Sequence, residues 1–326
     1  MIDTIYVESD VADTPRARGI LERYPRATVV PVESYGEIFN RSRQSFRLQK
    51  RRPSLILARK RGNLVMEAPY GIGGRHNFYF SHVLNCLYDC RYCFLQGMFR
   101  SAHYVIFTNH EEFREAIQDT AAPWPDEDVY FFSGYDGDSL ALDRITGFLD
   151  SFLPLFASRP RLVLELRTKS VAIRPLLRRE PFENCIVAFS FTPEEIRSLL
   201  EEGVPKVADR TSAMRRLSER GWKLGLRFDP LVLYPRYREG YRELFGNVLD
   251  AVPLGAIHSV GLGAFRLPKD FYERMVRLYP EERLFAGPLE ERAGIVTYAS
   301  ELEAEMRGFC RQELERRVPA SRLFEY

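Results

Sequence analysis

The chain has 326 residues, a formal net charge of +2 and a hydrophobic content of 45%. This length allows one large domain, or one large and one small domain, and the composition is typical of a globular protein. No apolar run reaches the roughly 18 residues of a membrane span, and the first ten residues lack the pattern of a secretory signal. We therefore expect a cytoplasmic protein with reduced cysteines and no membrane partner.

The first segment of the chain alternates short strands with a helix. Strands are expected at 4–8, 27–30 and 54–58, and a helix begins near Pro15, because proline suits a first helical turn. Residues 1–72 are therefore predicted to form a small α/β N-terminal domain. It ends at the glycine-rich segment 71–74, which marks a flexible boundary.

The same segment contains an uneven distribution of charge. Residues 38–66 include nine basic residues and no acidic one. Such a stretch could follow a phosphate backbone. It could equally be a solvated pair of strands with basic flanks, and the sequence leaves both interpretations open.

The rest of the chain alternates strands and helices more regularly. Short, apolar, β-prone runs occur at 129–133, 161–167, 185–190, 223–229 and 257–262, and helical patterns lie between them, for example at 141–155, 193–200, 210–220 and 240–251. Repeated strand–helix units predict a parallel sheet. With one strand just before Cys86 there are six, enough for a partial (β/α)6 barrel. We assign residues 73–285 to this barrel and 286–326 to a C-terminal hairpin and helix.

Three of the five cysteines fall within eight residues, as Cys86, Cys90 and Cys93 with the spacing C-x3-C-x2-C. Three thiolates at this spacing can hold three irons of a [4Fe–4S] cluster. The fourth iron is then open to a small molecule such as S-adenosylmethionine (SAM). A disulfide framework, a zinc site, a redox pair of two cysteines and chance clustering of core cysteines are the alternatives. Spacing and flanking aromatic residues favour the cluster.

Polar residues follow several of the predicted strands. Active sites of parallel barrels gather at the carboxyl ends of the strands. There, Gly134 and Gly137 would let a ligand approach the backbone closely, with Asp138 in the same segment. Lys169 could pair with a carboxylate, and Ser190 could hydrogen-bond a cofactor. The alternative is that strand ends are polar only because loops begin there.

The order of these segments resembles the spore photoproduct lyase family of radical SAM enzymes. The cysteine segment, residues 86–96, is the most specific part of the resemblance. Segments 133–146, 167–169, 189–191 and 202–210 resemble later parts of the family pattern. The resemblance extends from the N-terminal unit to about Glu282, and it implies the radical SAM type of partial barrel.

The resemblance implies an activity. A reduced [4Fe–4S] cluster would cleave SAM to methionine and a 5′-deoxyadenosyl radical, which would abstract hydrogen from a methylene-bridged thymine dimer and reverse this DNA lesion. It implies damaged DNA and an electron donor such as flavodoxin or ferredoxin as partners. The expected cluster ligands are Cys86, Cys90 and Cys93, and the expected SAM-binding residues are Gly134, Gly137, Asp138, Lys169 and Ser190.

Three departures from the family pattern concern the substrate side. Tyr135 occupies the position of the family's hydrogen-donating cysteine, and its phenol O–H could take over this role. Phe94 replaces a tyrosine of the radical relay, so only Tyr92 of that pair remains. The family's DNA-wedging hairpin is matched poorly by residues 286–298. Cys185 and Cys310 are expected to be buried core thiols that do not replace the missing donor.

Three hypotheses follow. The first is a radical SAM lyase acting on a thymine lesion, with Tyr135 as hydrogen donor and Tyr92 in the relay. The second is the same radical chemistry on another nucleic acid lesion, a nucleotide or a peptide. The third is an iron–sulfur protein that has lost catalysis. A SAM-binding pair of Lys169 and Ser190 argues against the third, because a pure sensor has no need of SAM.

Overall fold

The computed structural model describes residues 2–326. Its strands are β1 (Thr4–Glu8), β2 (Thr28–Val32), β3 (Leu55–Ala58), β4 (Met66–Glu67), β5 (His76–Tyr79), β6 (Val83–Leu84), β7 (Asp89–Cys90), β8 (Tyr104–Phe107), β9 (Val129–Ser133), β10 (Leu162–Thr168), β11 (Cys185–Ser190), β12 (Glu201–Glu202), β13 (Lys223–Leu231), β14 (Ile257–Ala264), β15 (Arg266–Pro268), β16 (Leu289–Arg292), β17 (Ile295–Tyr298) and β18 (Leu323–Glu325). Its α-helices are α1 (Pro15–Leu21), α2 (Phe46–Arg51), α3 (Leu95–Met98), α4 (His110–Ala121), α5 (Asp143–Thr146), α6 (Phe148–Ala157), α7 (Arg174–Leu177), α8 (Glu194–Leu200), α9 (Val207–Glu219), α10 (Tyr237–Leu249), α11 (Lys269–Leu278) and α12 (Ser300–Glu315).

Two sheets organise these elements. The N-terminal sheet has the order β2-β1-β3-β8-β6, and the larger sheet has the order β18-β14-β13-β11-β10-β9-β5-β4. From β5 to β18, neighbouring strands of the larger sheet are parallel, while β4 adds to its edge antiparallel. The curled sheet confirms the predicted partial barrel.

The two faces of the larger sheet carry different side chains. On β10, Leu164 and Leu166 belong to the main hydrophobic core, which includes Phe152 and Phe156 of α6. Side chains alternate along a strand, so the residues between them point to the opposite, inner face of the barrel. Val163 lies there with a smaller apolar cluster, and Glu165 and Arg167 follow it along the strand.

Local sequence explains the covering helices. In α4, Phe113, Ile117 and Ala121 recur every four residues and form its buried face. Glu111 and Glu112 lie in its first turn, where negative charge complements the helix dipole. No helix within residues 2–326 combines the length and apolar character needed to cross a membrane.

Two predictions about the elements were wrong in detail. The strand just before Cys86 does not belong to the barrel, because β6 pairs antiparallel with β8 in the N-terminal sheet. The sixth barrel strand is β5, which ends at Tyr79. The helix predicted over 141–155 is divided into α5 and α6, because Gly147 between them adopts a left-handed φ of 63° that ends a helix.

The chain crosses between its two main sheets more than once. The N-terminal sheet takes β6 and β8 from beyond residue 72, so residues 85–103 are an excursion between two strands of that sheet. At the other end, β16 and β17 form the expected hairpin and α12 the expected helix. The chain then returns to the barrel, since β18 pairs with β14.

Candidate active site at the carboxyl end of the barrel

The cysteine loop, residues 85–96, lies between the two sheets. Its strand β7 pairs antiparallel with β12, so Cys90 lies opposite Glu201. All five cysteines of the chain are free thiols, which makes the disulfide alternative wrong. Cys185 and Cys310 are fully buried, as predicted for core thiols.

Side chains beside the loop and within it hold the loop in place. The Lys50 ammonium donates to the carbonyls of Cys86 and Tyr88 at 2.6 and 2.9 Å. Gln96 donates to the carbonyl of Cys90 at 2.6 Å. Asn85 donates to two carbonyls of the following segment, at 2.7 and 2.8 Å. The loop is therefore held in one conformation by protein contacts alone.

The three thiols are protonated in this environment unless a metal binds them. Burial raises the pKa of Cys86 to about 12, raises that of Cys90 well above its ordinary value, and raises that of Cys93. The nearby ammonium of Lys50 opposes the shift at Cys86 and Cys93, and Lys169 opposes it at Cys90 and Cys93. Metal binding would replace these protons.

The donor set distinguishes between metal sites. A single zinc ion takes four donors at about 2.0–2.3 Å, which requires its ligands to converge on one point. Among residues 2–326, no three His, Cys, Asp or Glu side chains converge in this way. A [4Fe–4S] cluster spreads its thiolates over separate irons. Three free thiols on one tethered loop therefore fit the cluster better than zinc.

Glu201 connects the loop to the barrel. This fully buried carboxylate accepts hydrogen bonds from the Tyr92 hydroxyl, from Thr192 at 2.9 Å and from the Lys169 ammonium at 3.1 Å, and Arg210 lies at 3.4 Å. Burial raises its pKa, but Lys169 and Arg210 outweigh burial, so the pKa lies below its ordinary value. Sequence reasoning missed Glu201, because nothing in the sequence separates it from the exposed Glu202.

The contacts of Glu201 place two predicted residues. Lys169 is directed at Glu201 and lies 5.5 Å above the Tyr92 ring. The Tyr92 hydroxyl donates its hydrogen bond to the same carboxylate. Arg210 also donates to the backbone carbonyl of Ser190. Lys169, Tyr92 and Ser190 are therefore brought together beside the cysteine loop.

Asp138 has a structural role in this conformation. Its carboxylate accepts four hydrogen bonds of 2.7–2.9 Å, from the amides of Leu140, Ala141 and Lys169 and from the Thr168 hydroxyl. These bonds tie the loop after β9 to the end of β10. Four protein donors fill the carboxylate, so a direct bond from Asp138 to a ligand would require one of them to move.

The two predicted glycines permit close contacts within the protein. Gly134 has a φ of 83°, and a β-carbon there would lie 2.8 Å from the carbonyl oxygen of Arg167. A β-carbon at Gly137 would lie 2.6 Å from Val83 in β6. Both distances are too short for a side chain. The glycines therefore position the loop after β9 against its neighbours, whether or not a ligand also approaches them.

Tyr135 projects from the same loop and packs against aromatic rings. It stacks on Tyr79 with ring centroids 4.4 Å apart, and its ring lies 5.5 Å from that of Phe94 in the cysteine loop. Burial raises the pKa of Tyr135, and the charge of Asp136 adds to this, while Arg167 and Arg266 lower it. The phenol is therefore neutral and keeps its hydrogen at physiological pH.

The inner face of the barrel carries a charged network that the sequence did not indicate. Glu165 is fully buried and pairs with Arg227 at 2.6 Å and with Arg167 at 3.1 Å. Asp229 pairs with Arg266 at 3.0 Å near the ends of β13 and β14. The network lies on the inner surface below Tyr135.

Much of the basic segment 38–66 is paired within the protein. Arg59 contacts Glu112, Arg61 contacts Glu8 and Asp10, and Arg47 contacts Glu281. Lys50 binds the cysteine loop as described above. The exposed Arg51 and Arg52 are among the basic side chains that keep the phosphate-backbone interpretation open.

The chain is similar in sequence to proteins of one known family. The sequence model of the family described as "Spore photoproduct lyase" matches residues 77–320. The chain is 24% identical over 202 residues to spore photoproduct lyase of Bacillus subtilis (strain 168), covering 61% of this chain and 59% of that protein. It is 25% identical over 242 residues to the Geobacillus sp. (strain Y412MC61) protein of the same name, covering 69% and 70%.

A solved structure shares the whole fold. A doubly substituted spore photoproduct lyase with bound AdoMet and dinucleoside spore photoproduct superimposes with a TM-score of 0.84 at 18% identity, covering 100% of this chain and 98% of that one. The family match covers well over half of the described residues. The chain belongs to the spore photoproduct lyase family.

Proposed function

We propose that the protein is a radical SAM lyase that reverses a methylene-bridged thymine dimer in DNA. One observation carries the proposal: three free cysteines lie on a tethered loop at the carboxyl end of a partial barrel, and Phe94 of that loop contacts Tyr135 of the barrel. With a cluster bound, a site for radical generation would adjoin a group that can donate hydrogen. The related structure with bound AdoMet and dinucleoside spore photoproduct supports the assignment.

Cys86, Cys90 and Cys93 would hold the [4Fe–4S] cluster, and we expect Ser190 and Lys169 to contact SAM. The reduced cluster with bound SAM supplies a 5′-deoxyadenosyl radical, which is chemistry of the cofactors. The protein orients the reactants and excludes water. The cysteine loop is held by Lys50 and Gln96, which bind its backbone, and by Glu201, which binds Tyr92.

Tyr135 would return a hydrogen atom to the substrate. In this step the phenol O–H bond breaks, a C–H bond forms on the thymine carbon, and a phenoxyl radical remains on Tyr135. One electron from the reductant that serves the cluster and one proton from solvent would restore the phenol. Tyr92, whose hydroxyl is bound to Glu201, remains our candidate for an accessory role in this radical transfer.

The partners would be damaged DNA and a small electron-transfer protein such as flavodoxin or ferredoxin. A lesion inside duplex DNA must leave the base stack to reach a barrel site, and a damaged step lowers the cost of extrusion. The exposed arginines near α2 lie on the side of the cysteine loop, because Lys50 of α2 binds that loop. They are available to either partner.

The test uses anaerobically reconstituted protein with SAM and dithionite, with and without DNA that contains the dimer. We expect 5′-deoxyadenosine together with thymine restored from the dimer, and neither product from a Cys90→Ala variant. Formation of 5′-deoxyadenosine without dimer loss would contradict the substrate assignment.

A second candidate is the same radical chemistry on another nucleic acid lesion, a nucleotide or a peptide. Two departures from the family pattern favour it. Tyr135 replaces a thiol by a larger group, and Phe94 replaces a phenol by a less polar ring. SAM cleavage without dimer repair would select it. A fully loaded cluster that never cleaves SAM would instead indicate a protein that has lost catalysis.

A further inference from the structure

Arg167 contains a buried hydrogen-bond donor that no protein group satisfies. Its Nε atom donates to Glu165 at 3.1 Å, whereas its Nη2 atom is buried and has no acceptor within residues 2–326. The Tyr326 hydroxyl is likewise buried and unpaired there. Buried polar groups in native proteins are nearly always paired. Two unpaired donors in the same region are therefore available to a bound group.

Aromatic contacts hold both groups on one side of the barrel interior. The Arg167 guanidinium lies 5.1 Å from the centre of the Tyr70 ring, and the Tyr70 and Tyr326 rings lie 4.7 Å apart. Gly261 leaves room for the Tyr326 hydroxyl. A β-carbon at Gly261 would lie 2.3 Å from the Tyr326 hydroxyl oxygen.

The charges around this position do not balance. The network contains three cations, Arg167, Arg227 and Arg266, but only two anions, Glu165 and Asp229. Arg227 makes the shorter contact with Glu165, at 2.6 Å, and Arg266 pairs with Asp229. Arg167 is thus the cation in excess. The Arg167 side chain is only 20% exposed and shares its counterion with Arg227, so the site favours an anion.

The position adjoins the proposed reaction site. Arg167 precedes Thr168 and Lys169 at the end of β10, and its carbonyl oxygen contacts Gly134, the residue before Tyr135. Asp136, which follows Tyr135, is not the missing anion, because its carboxylate accepts from Ser81 at 2.6 Å and makes no ion pair with Arg167 within residues 2–326. An anion bound by Arg167 would therefore lie close to the reacting part of the substrate.

We propose that Arg167, assisted by the Tyr326 hydroxyl, binds an oxyanion of the substrate, namely the phosphate that links the two nucleosides of the lesion. The proposal rests on the proposed function and specifies its substrate as a phosphate-bearing dinucleotide unit. A guanidinium suits this group, because its remaining N–H donors match phosphate oxygens. The carboxylate of SAM is an oxyanion too, so the experiment must separate the two sources.

The experiment measures binding without turnover. Cluster-loaded protein without SAM is titrated with the dinucleotide spore photoproduct, which has the linking phosphate, and with the dinucleoside form, which lacks it. We expect the wild type to bind the dinucleotide about tenfold more tightly, as for a charge-assisted hydrogen bond. Arg167→Met should reduce this ratio to about one, and Arg167→Lys should retain part of it.

Arg161→Met is the matched control, because Arg161 immediately precedes β10, at the end opposite Arg167, and is 60% exposed. Its ratio should equal that of the wild type. Arg167→Met should fold, since Glu165 keeps both of its contacts with Arg227, and circular dichroism checks this.

Equal affinity of the wild type for both compounds, including no binding of either, would overturn the proposal. So would an Arg167→Met variant that loses SAM affinity but keeps the phosphate preference, because the oxyanion would then be the cofactor's. The phosphate preference is measured without catalysis. A failure of dimer repair would therefore contradict the proposed function and leave this result intact.

Discussion

The rings of Phe94 and Tyr135 lie 5.5 Å apart, centroid to centroid, at an angle of 53°. The first residue follows the third cysteine of the motif, and the second lies in the loop after β9. The resemblance to the family implies that each residue departs from the family pattern at a position expected to serve hydrogen transfer, and the fold places their rings in contact. The two substitutions thus change one place in the molecule, where radical generation would meet the substrate.

Removal of the Tyr135 hydroxyl tests its role. Tyr135→Phe keeps the stacking on Tyr79 but has no O–H bond to break. We expect SAM cleavage to continue while the yield of restored thymine falls at least tenfold and aberrant products form. Liquid chromatography of the products measures both quantities.

The control for this variant is Tyr237→Phe, which removes a hydroxyl from the outer helix α10. It should give wild-type products. A normal product distribution from Tyr135→Phe would show that another group returns the hydrogen.

The cluster ligands can be identified by replacing each cysteine. Alanine at Cys86, Cys90 or Cys93 should abolish most of the bound iron and the visible absorbance of the reconstituted protein. Alanine at Cys185 or Cys310 should leave both unchanged and lower stability by about 1 kcal/mol, because it removes a single buried sulfur. Full iron occupancy in any of the first three variants would exclude that cysteine as a ligand.

Lys50 should govern how firmly the cysteine loop holds its cofactor. Lys50→Met keeps the aliphatic stem but removes the ammonium that binds the carbonyls of Cys86 and Tyr88. We expect roughly tenfold faster iron loss to a chelator, which corresponds to about 1.4 kcal/mol. Arg51→Met, next along the chain and exposed, should lose iron at the wild-type rate. Equal rates for the two variants would contradict this anchoring role.

Glu201 and Glu202 provide a matched pair for the stability of the site. Glu201→Gln leaves Lys169 and Arg210 without their buried carboxylate and should destabilise the protein by about 3 kcal/mol. Glu202→Gln removes a carboxylate that is 74% exposed and pairs with Arg91, so it should cost at most about 1 kcal/mol. Urea denaturation measures both, and equal midpoints would refute the central role of Glu201.

Buried histidine makes stability depend on pH. Burial against the Phe148 ring lowers the pKa of His82 to about 3, from 6.5 in the unfolded chain. Below pH 6.5 the unfolded state therefore binds a proton that the folded state does not. As the pH is lowered from 6.5 towards 3, His82 should therefore reduce the free energy of unfolding by about 1.4 kcal/mol for each pH unit.

His82→Phe should remove this contribution. Between pH 6 and 4 the variant should take up one proton fewer on unfolding, so its free energy of unfolding should depend less steeply on pH. Denaturant unfolding at several pH values measures the slope. An unchanged slope would mean that His82 is protonated in the folded protein.

Local pattern was sufficient for the fold class and the cofactor motif. Strands such as β9 and β11 are continuous apolar runs, and the cysteine spacing is a property of adjacent residues, so both can be seen without tertiary information. Local pattern alone also explains why the strand at Val83 was assigned to the wrong sheet. A two-residue apolar stretch has no feature that specifies its partner, and pairing with β8 is decided only when the chain folds.

The sequence by itself determined the partial barrel, the three cysteines and the positions Tyr135, Lys169 and Ser190 at strand ends. Only the tertiary structure decided that Asp138 is filled by protein donors, that Lys169 pairs with Glu201 and not with Glu202, and that Arg167 has a buried N–H to spare. The physical reason is that burial and charge balance depend on neighbours distant in sequence. Glu201 and Glu202 are the same residue type at adjacent positions, and the fold buries one completely and leaves the other in water.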